Sequence, residues 1–192
     1  MIPRTIHYCW LSGDPLPEKL EYCVKTWHEN LSGYEFVLWN FDRFDINSSI
    51  WVKQAFEAKK YACAADYIRL YAVYNYGGIY LDMDIEAVKP FGDLLNRSIM
   101  LGYEDKEYEI EAGCFGAEKG HPFIKKCLDF YQEREFSGPI ILPAVMQDTL
   151  KIFFSGENYD ILPFDYLSAK SHVTGKIKKT KNTRTIHHYT GS

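Results

Sequence analysis

The sequence predicts an α/β fold, a sheet with helices packed on it, and three observations carry that prediction. Short apolar or β-branched runs alternate with longer stretches whose apolar residues recur every three or four positions. Gly and Pro punctuate the joints, at Gly13, Pro15 and Pro17, at Gly77 and Gly78, and at Gly138 and Pro139. The length, 192 residues, suits one domain. In chain order, residues 4–10 read as a strand and 18–30 as a helix with Leu20, Val24 and Trp27 on one face, so the chain opens with a βα unit. A second strand follows at 34–39 and a second helix at 50–59. Residues 61–76, rich in Ala and Leu, give the strongest helix, closed by Gly77 because glycine accepts the left-handed conformation of a helix C-terminus. A very short strand at 79–81 runs straight into Asp82, Met83 and Asp84, and two further strands, 98–103 and 111–117, precede helices at 122–133 and 144–153.

Composition excludes several classes. With 46% hydrophobic and 25% charged residues, the chain buries a core and is neither disordered nor low in complexity. The uncharged run 70–81, twelve residues, is too short to span a bilayer, and the N-terminus reads as a strand instead of a signal peptide. The expectation is a cytoplasmic protein. A net charge of −4 gives no reason to expect a nucleic-acid partner. Five cysteines, odd in number and never in a C-x-x-C, argue against a disulfide framework or a zinc ribbon. No linker divides the chain, so residues 1–192 are read as one domain, truncated at its C-terminus because no closing element follows the last histidines.

Two carboxylates, Asp82 and Asp84, stand where the short strand ends. In an extended strand such a pair points to opposite sides, so the two share one ion only if the chain turns there. Hard oxygen ligands favour Mg²⁺ or Mn²⁺, ions that keep waters and substrate phosphates as further ligands, and a nucleoside diphosphate is their natural partner. Taken alone, such a tripeptide is more often two exposed acids capping a strand. Asp66 and Arg69, three apart on the strongest helix, share a face, where the plain alternative is a surface ion pair. Trp10, ending the first strand, is placed either to stack on a base or sugar ring or to pack in the core, and His187 or His188 offers an imidazole to a metal. An acidic stretch, Glu104, Asp105, Glu107, Glu109 and Glu111, and a basic one, Lys170, Lys176, Lys178, Lys179, Lys181 and Arg184, read first as solvated loops.

Together these residues are more specific. Ala65, Asp66, Tyr67, Ile68 and Arg69, followed by Gly77, Gly78, Ile79, Tyr80, Leu81, Asp82, Met83 and Asp84, closely resemble the sugar-nucleotide motif of glycosyltransferase family 32. That family includes bacterial capsular and exopolysaccharide sugar transferases and yeast mannosyltransferases, and large glucosylating toxins share the motif. Residues 2–10 resemble the family's N-terminal strand, and 186–192 its C-terminal His motif. The resemblance implies a glycosyltransferase-A (Rossmann-like) fold, a mainly parallel open sheet flanked by helices, with the nucleotide site at the strands' C-terminal ends. It implies that Trp10 stacks on the base, that Asp66 and Arg69 hold sugar hydroxyls or the diphosphate, and that Asp82 meets the ribose and a metal-bound water. Asp84 is then the main metal ligand, and His187, aligned with the first His of the terminal motif, a further one, while His188 faces away.

The implied activity is metal-dependent, retaining transfer of a hexose from a nucleotide-sugar donor, UDP-glucose or UDP-galactose before GDP-mannose, to a saccharide or lipid-linked saccharide acceptor in polysaccharide biosynthesis. On this reading Glu111 or another acid of the 104–111 stretch lies near the acceptor, and the basic run at 176–184 meets the diphosphate or an anionic membrane as a mobile closing segment. Two rivals remain at this level. Leu81, Asp82, Met83, Asp84 superficially matches the nucleophile motif of haloacid-dehalogenase-like phosphatases, although Glu86 stands where Thr or Val is needed. A non-catalytic nucleotide-sugar binding protein is the other.

Overall fold

A computed structural model describes residues 1–105, 109–157 and 159–190. Strand β1 (Thr5–Cys9) leads through a loop to helix α1 (Glu18–Asn30), whose first turn carries Glu18 and Glu21 and whose last carries His28, each matched to the helix dipole. Strand β2 (Glu35–Trp39) is followed by α2 (Ile50–Glu57), capped by the Ser49 side chain accepting from the Val52 amide, and α3 (Tyr61–Tyr76). Gly77, at φ 67°, ends α3 and turns the chain into β3 (Gly78–Leu81). Then come β4 (Ile85–Ala87), β5 (Ile99–Met100), β6 (Cys114–Ala117), α4 (Pro122–Tyr131), α5 (Leu142–Phe153), α6 (Phe164–Leu167) and β7 (Thr185–His187).

The main sheet runs β2-β1-β3-β6-β5. β2, β1 and β3 are parallel, β6 is antiparallel to β3, and β5 is antiparallel to β6, so four of the five strands point one way. The chain leaves β1 for β2 on one side and later returns to β3 on the other, which opens a crevice past the C-terminal ends of β1 and β3. Side chains alternate across the sheet. Tyr80 packs with α3 and α4 residues such as Ile68 and Phe123, whereas its neighbours Ile79 and Leu81 join Leu20 and Trp27 of α1 on the opposite face.

The chain departs from the sequence reading in four places. Expected strands at 98–103 and 111–117 shrink to Ile99–Met100 and Cys114–Ala117, because residues 111–113 leave the ladder to bring Glu111 beneath the crevice. Helix α5 starts at Leu142, as Pro143 is tolerated in a first turn. Helix α2 stops short of Lys59, whose φ of 56° breaks it. The C-terminal segment is not a loose closing arm: β7 pairs antiparallel with β4, burying Thr183, Thr185 and Ile186. All five cysteines are unpaired and buried, and no helix among the described residues is long and apolar enough to cross a membrane.

Candidate active site

The crevice past β1 and β3 is a cleft of about 540 Å³, lined among others by Trp10, Arg69, Tyr80, Asp82, Asp84, His187 and Tyr189. The turn needed for Asp82 and Asp84 to converge is present: the Ile85 amide donates to the Asp82 carbonyl, which folds the tripeptide back before β4 begins. β7 lies on β4 and carries His187 opposite Ile85. One ligand atom each from Asp82, Asp84 and His187 therefore lie within 4.8 Å of one another.

Each of these groups is held from behind. Asp82 accepts from Arg69 through Oδ2 at 3.0 Å and from the Tyr80 hydroxyl through Oδ1 at 2.9 Å. Arg69 Nη1 also donates to the Ala112 carbonyl at 2.9 Å, its Nη2 lies 3.2 Å from Asp66 Oδ1, and its guanidinium rests 4.6 Å from the Tyr80 ring centre. Asp66 and Arg69 do form the helical ion pair, but it is buried, 8% and 6% exposed, and tied through Asp82 to the cleft, so the surface-pair reading does not hold. Arg69 lines the cleft; Asp66 sits behind it.

His187 Nδ1 donates to Glu111 at 3.0 Å, leaving Nε2 aimed at Asp84 Oδ1, 3.4 Å away, and Tyr189 stacks on the imidazole with centroids 3.9 Å apart. A buried carboxylate on Nδ1 fixes the orientation of the ring, the arrangement that orients histidine ligands in metal sites. Burial opposes a charge on His187, but Glu111 and Asp84 outweigh it and hold its pKa well above the ordinary histidine value. Asp84 responds in kind: burial acts to raise it, yet His187 and the Thr190 amide, 2.8 Å from Oδ2, bring it down to about 2. Asp82 shifts the other way, raised by burial against the pull of Arg69.

The space among these groups is reserved. A Cβ on Gly113 would lie 2.8 Å from His187 Cε1, 2.9 Å from Glu111 Oε1 and 3.0 Å from Asp82 Oδ2, so only glycine leaves the three side chains in place. Two hard carboxylates, one imidazole nitrogen and a cradle that a side chain would fill fit a divalent ion of the Mn²⁺ or Mg²⁺ kind. Trp10, half-buried, lines the cleft with its indole N–H donated to the Asp14 carbonyl at 2.8 Å, which presents the ring edge-fixed at the mouth.

Other expected residues stand elsewhere. Glu111 is fully buried under His187 and donates nothing to an acceptor surface; burial raises its pKa, but His187 and the Gly113 amide lower it overall. His188 faces away from the cleft, its Nε2 2.8 Å from Glu86. Of the acidic stretch, Glu104 lies 3.8 Å from His172 and Asp105 accepts from Ser171, while Glu107, like Gly191 and Ser192 of the terminal motif, is outside the described residues. In the basic stretch, Lys170 donates to the His188 carbonyl and Arg184 pairs with Asp93, whereas Lys176, Lys178 and Lys179 are exposed. Gly113 and Tyr189 went unassigned in the sequence, since neither spacing nor composition marks them.

Residues 17–101 match the glycosyltransferase sugar-binding region containing the DXD motif. Inositol phosphoceramide mannosyltransferase 1 of Schizosaccharomyces pombe is 28% identical over 134 residues, 66% of this chain and 42% of that protein. An uncharacterised glycosyltransferase of Acanthamoeba polyphaga mimivirus is 31% identical over 143 residues, 64% of this chain and 52% of its own. The chain thus spans about half the length of the curated relatives it matches. Among solved structures, the PaToxG glycosyltransferase superposes with a TM-score of 0.63 at 23% identity, over 81% of this chain and 71% of that one. A glycosyltransferase involved in glycosylation of the major capsid of PBCV-1 superposes with a TM-score of 0.57 at 14% identity, over 97% and 94%. At these identities the likeness speaks for the fold, and the strand order and crevice are those of a glycosyltransferase-A fold. Residues 17–101 are thus similar to the sugar-binding region, with its DXD motif, found in glycosyltransferases.

Proposed function

We propose that the protein is a divalent-metal-dependent retaining glycosyltransferase that moves a hexose from a nucleotide sugar to a saccharide or lipid-linked acceptor. The convergence of Asp82, Asp84 and His187 on one point beside a cleft of nucleotide-sugar size carries this reading. Those three residues would hold the ion, which when bound supplies positive charge to the diphosphate as it leaves. Trp10 offers a face to the base, and Arg69, itself buried, adds a fixed cation at the floor of the cleft, where burial strengthens its effect on developing charge. Asp66 keeps Arg69 in place from behind.

Transfer breaks the bond from the anomeric carbon to the diphosphate, whose oxygen keeps the electron pair. An acceptor oxygen bonds to that carbon, and its proton passes to the leaving phosphate. The phosphatase alternative needs Asp82 free to attack, whereas both of its oxygens are engaged by Arg69 and Tyr80. The names of the yeast relatives favour a mannosyl donor and a lipid-borne acceptor over the UDP-hexose and polysaccharide expected first. Exposed Lys176, Lys178 and Lys179 beside exposed Val173 and Ile177 support peripheral contact with an anionic membrane carrying such an acceptor.

A thermal-shift series with UDP-glucose, UDP-galactose and GDP-mannose, each with and without Mn²⁺, tests the proposal. One donor at about a hundred times its Kd should stabilise by about 2.7 kcal/mol, roughly 5–10 °C at this size, and only with metal. Asp84→Ala should abolish the shift. Shifts insensitive to both chelator and Asp84→Ala, or no shift with any donor, would sink it.

A further inference from the structure

A second cavity, about 510 Å³, adjoins the cleft and shares one residue with it, Asp84. Its other lining residues are Glu18, Lys19, Tyr22 and Cys23 of α1 and Lys170, His188 and Thr190 of the C-terminal segment. The two cavities divide the neighbouring residues between them. Along the tail that leaves β7, where Tyr189 takes a φ of 52°, His187 and Tyr189 face the cleft while His188 and Thr190 face the second cavity. On α1, Leu20 faces the one and Lys19, Tyr22 and Cys23 the other. Asp84 stands between them, with Oδ1 toward His187 and Oδ2 accepting from the Thr190 amide.

An attacking hydroxyl has to come within about 3–3.5 Å of the reacting carbon, so an acceptor site has to adjoin the donor cleft, and the second cavity adjoins it at Asp84. Two other cavities, beside Arg97 and beside Leu38, share no residue with the cleft. The lining chemistry is specific. Lys19 and Lys170 donate, Glu18 and Asp84 accept, and their charges offset, which disfavours an ionic ligand and suits a dense set of hydroxyls. Tyr22, 53% exposed, lays an apolar ring face beside them.

We propose that the second cavity is the acceptor subsite and that it takes an uncharged hydroxylated ring, a sugar or a cyclitol, laid on Tyr22 and hydrogen-bonded by Lys19 and Lys170. This rests on the transferase reading. Tyr22 and Lys19 are the residues to test, because both are exposed on α1 and neither contacts the metal trio, whereas Lys170 also anchors the His188 carbonyl.

Methyl α-D-mannopyranoside and myo-inositol serve as probes, with myo-inositol 1-phosphate as the charged comparison. Saturation-transfer NMR with nucleotide and Mn²⁺ present reads binding directly, and initial rates give acceptor KM and kcat separately. At least one neutral probe should bind saturably to the wild type, and Tyr22→Ala and Lys19→Ala should each raise its Kd and KM at least tenfold with kcat within threefold. Equal probe binding by wild type and Tyr22→Ala, binding of the phosphate alone, or binding of no probe would overturn the assignment. Nucleotide titration of the wild type is scored separately: its failure would strike the transferase reading, and its success beside any of those outcomes would strike only the subsite.

Discussion

Replacing Asp66 with asparagine should stabilise the protein at neutral pH while disabling it. One guanidinium, Arg69, serves two buried carboxylates, Asp66 at 3.2 Å and Asp82 at 3.0 Å. Burial dominates at Asp66 and lifts its pKa from 3.8 up to about 7, with Arg69 opposing. Between those values the native chain keeps a proton that the unfolded chain releases, so this group's contribution to stability falls as pH rises through the window and is flat above about 7. At about 1.4 kcal/mol per pH unit, the loss amounts to about 4 kcal/mol. Asparagine keeps the shape and removes the titration.

Urea denaturation followed by tryptophan fluorescence, from pH 4.5 to 8.5, gives the comparison. The wild-type stability minus that of Asp66→Asn should decline from pH 4.5 to about 7 and level off above it, while transfer rate drops at least tenfold, about 1.4 kcal/mol in the transition state. A difference that does not change with pH would refute the reasoning, since it would make Asp66 an ordinary ion-paired carboxylate. Removing the cation instead has the opposite sign: Arg69→Met strands both carboxylates and should cost about 3–5 kcal/mol, roughly 10 °C in Tm.

Two other sites give independent checks. Glu111→Gln keeps an acceptor for His187 Nδ1 but loses the charge that aligns the ring, so Mn²⁺ affinity in the presence of nucleotide, read by calorimetry, should weaken by about 10–100-fold; equal affinity would remove Glu111 from the support of the site. His7 is a separate case: its Nε2 donates to the Gly77 carbonyl at 2.8 Å and its Nδ1 accepts from the Trp39 indole at 3.1 Å, so protonation has no room, and burial lowers its pKa below 6.5. The unfolded chain then takes up a proton near pH 6.5 that the native chain refuses, and stability falls as pH drops below that value. His7→Asn should lose this acid-side slope. Because Asp66 acts with the opposite sign in the same window, only the difference between wild type and variant isolates His7, and a pH-independent difference would argue against it.

What was legible in the sequence divides by range. Helices α1 and α3 follow from local periodicity and from Gly77, and the ends found match those read, because a repeat every three or four residues needs no knowledge of the rest of the chain. Asp82 and Asp84 were legible for a similar reason, lying next to each other at a strand's end. Glu111, Gly113 and Tyr189 were not. Glu111 sits in a run of acids that reads as solvated surface, yet its partner His187 is 76 residues away, and only the pairing of β7 with β4 turns that acid inward. β7 itself has three residues and follows a lysine-rich run, so neither length nor hydrophobicity announces it. The parts that escaped are those in which a distant strand decides which way a side chain faces. The same dependence explains why His187 and His188, chemically identical and adjacent, turn opposite ways where β7 ends, the first against the carboxylates of the cleft and the second against Glu86. Exchanging either one tests a different cavity.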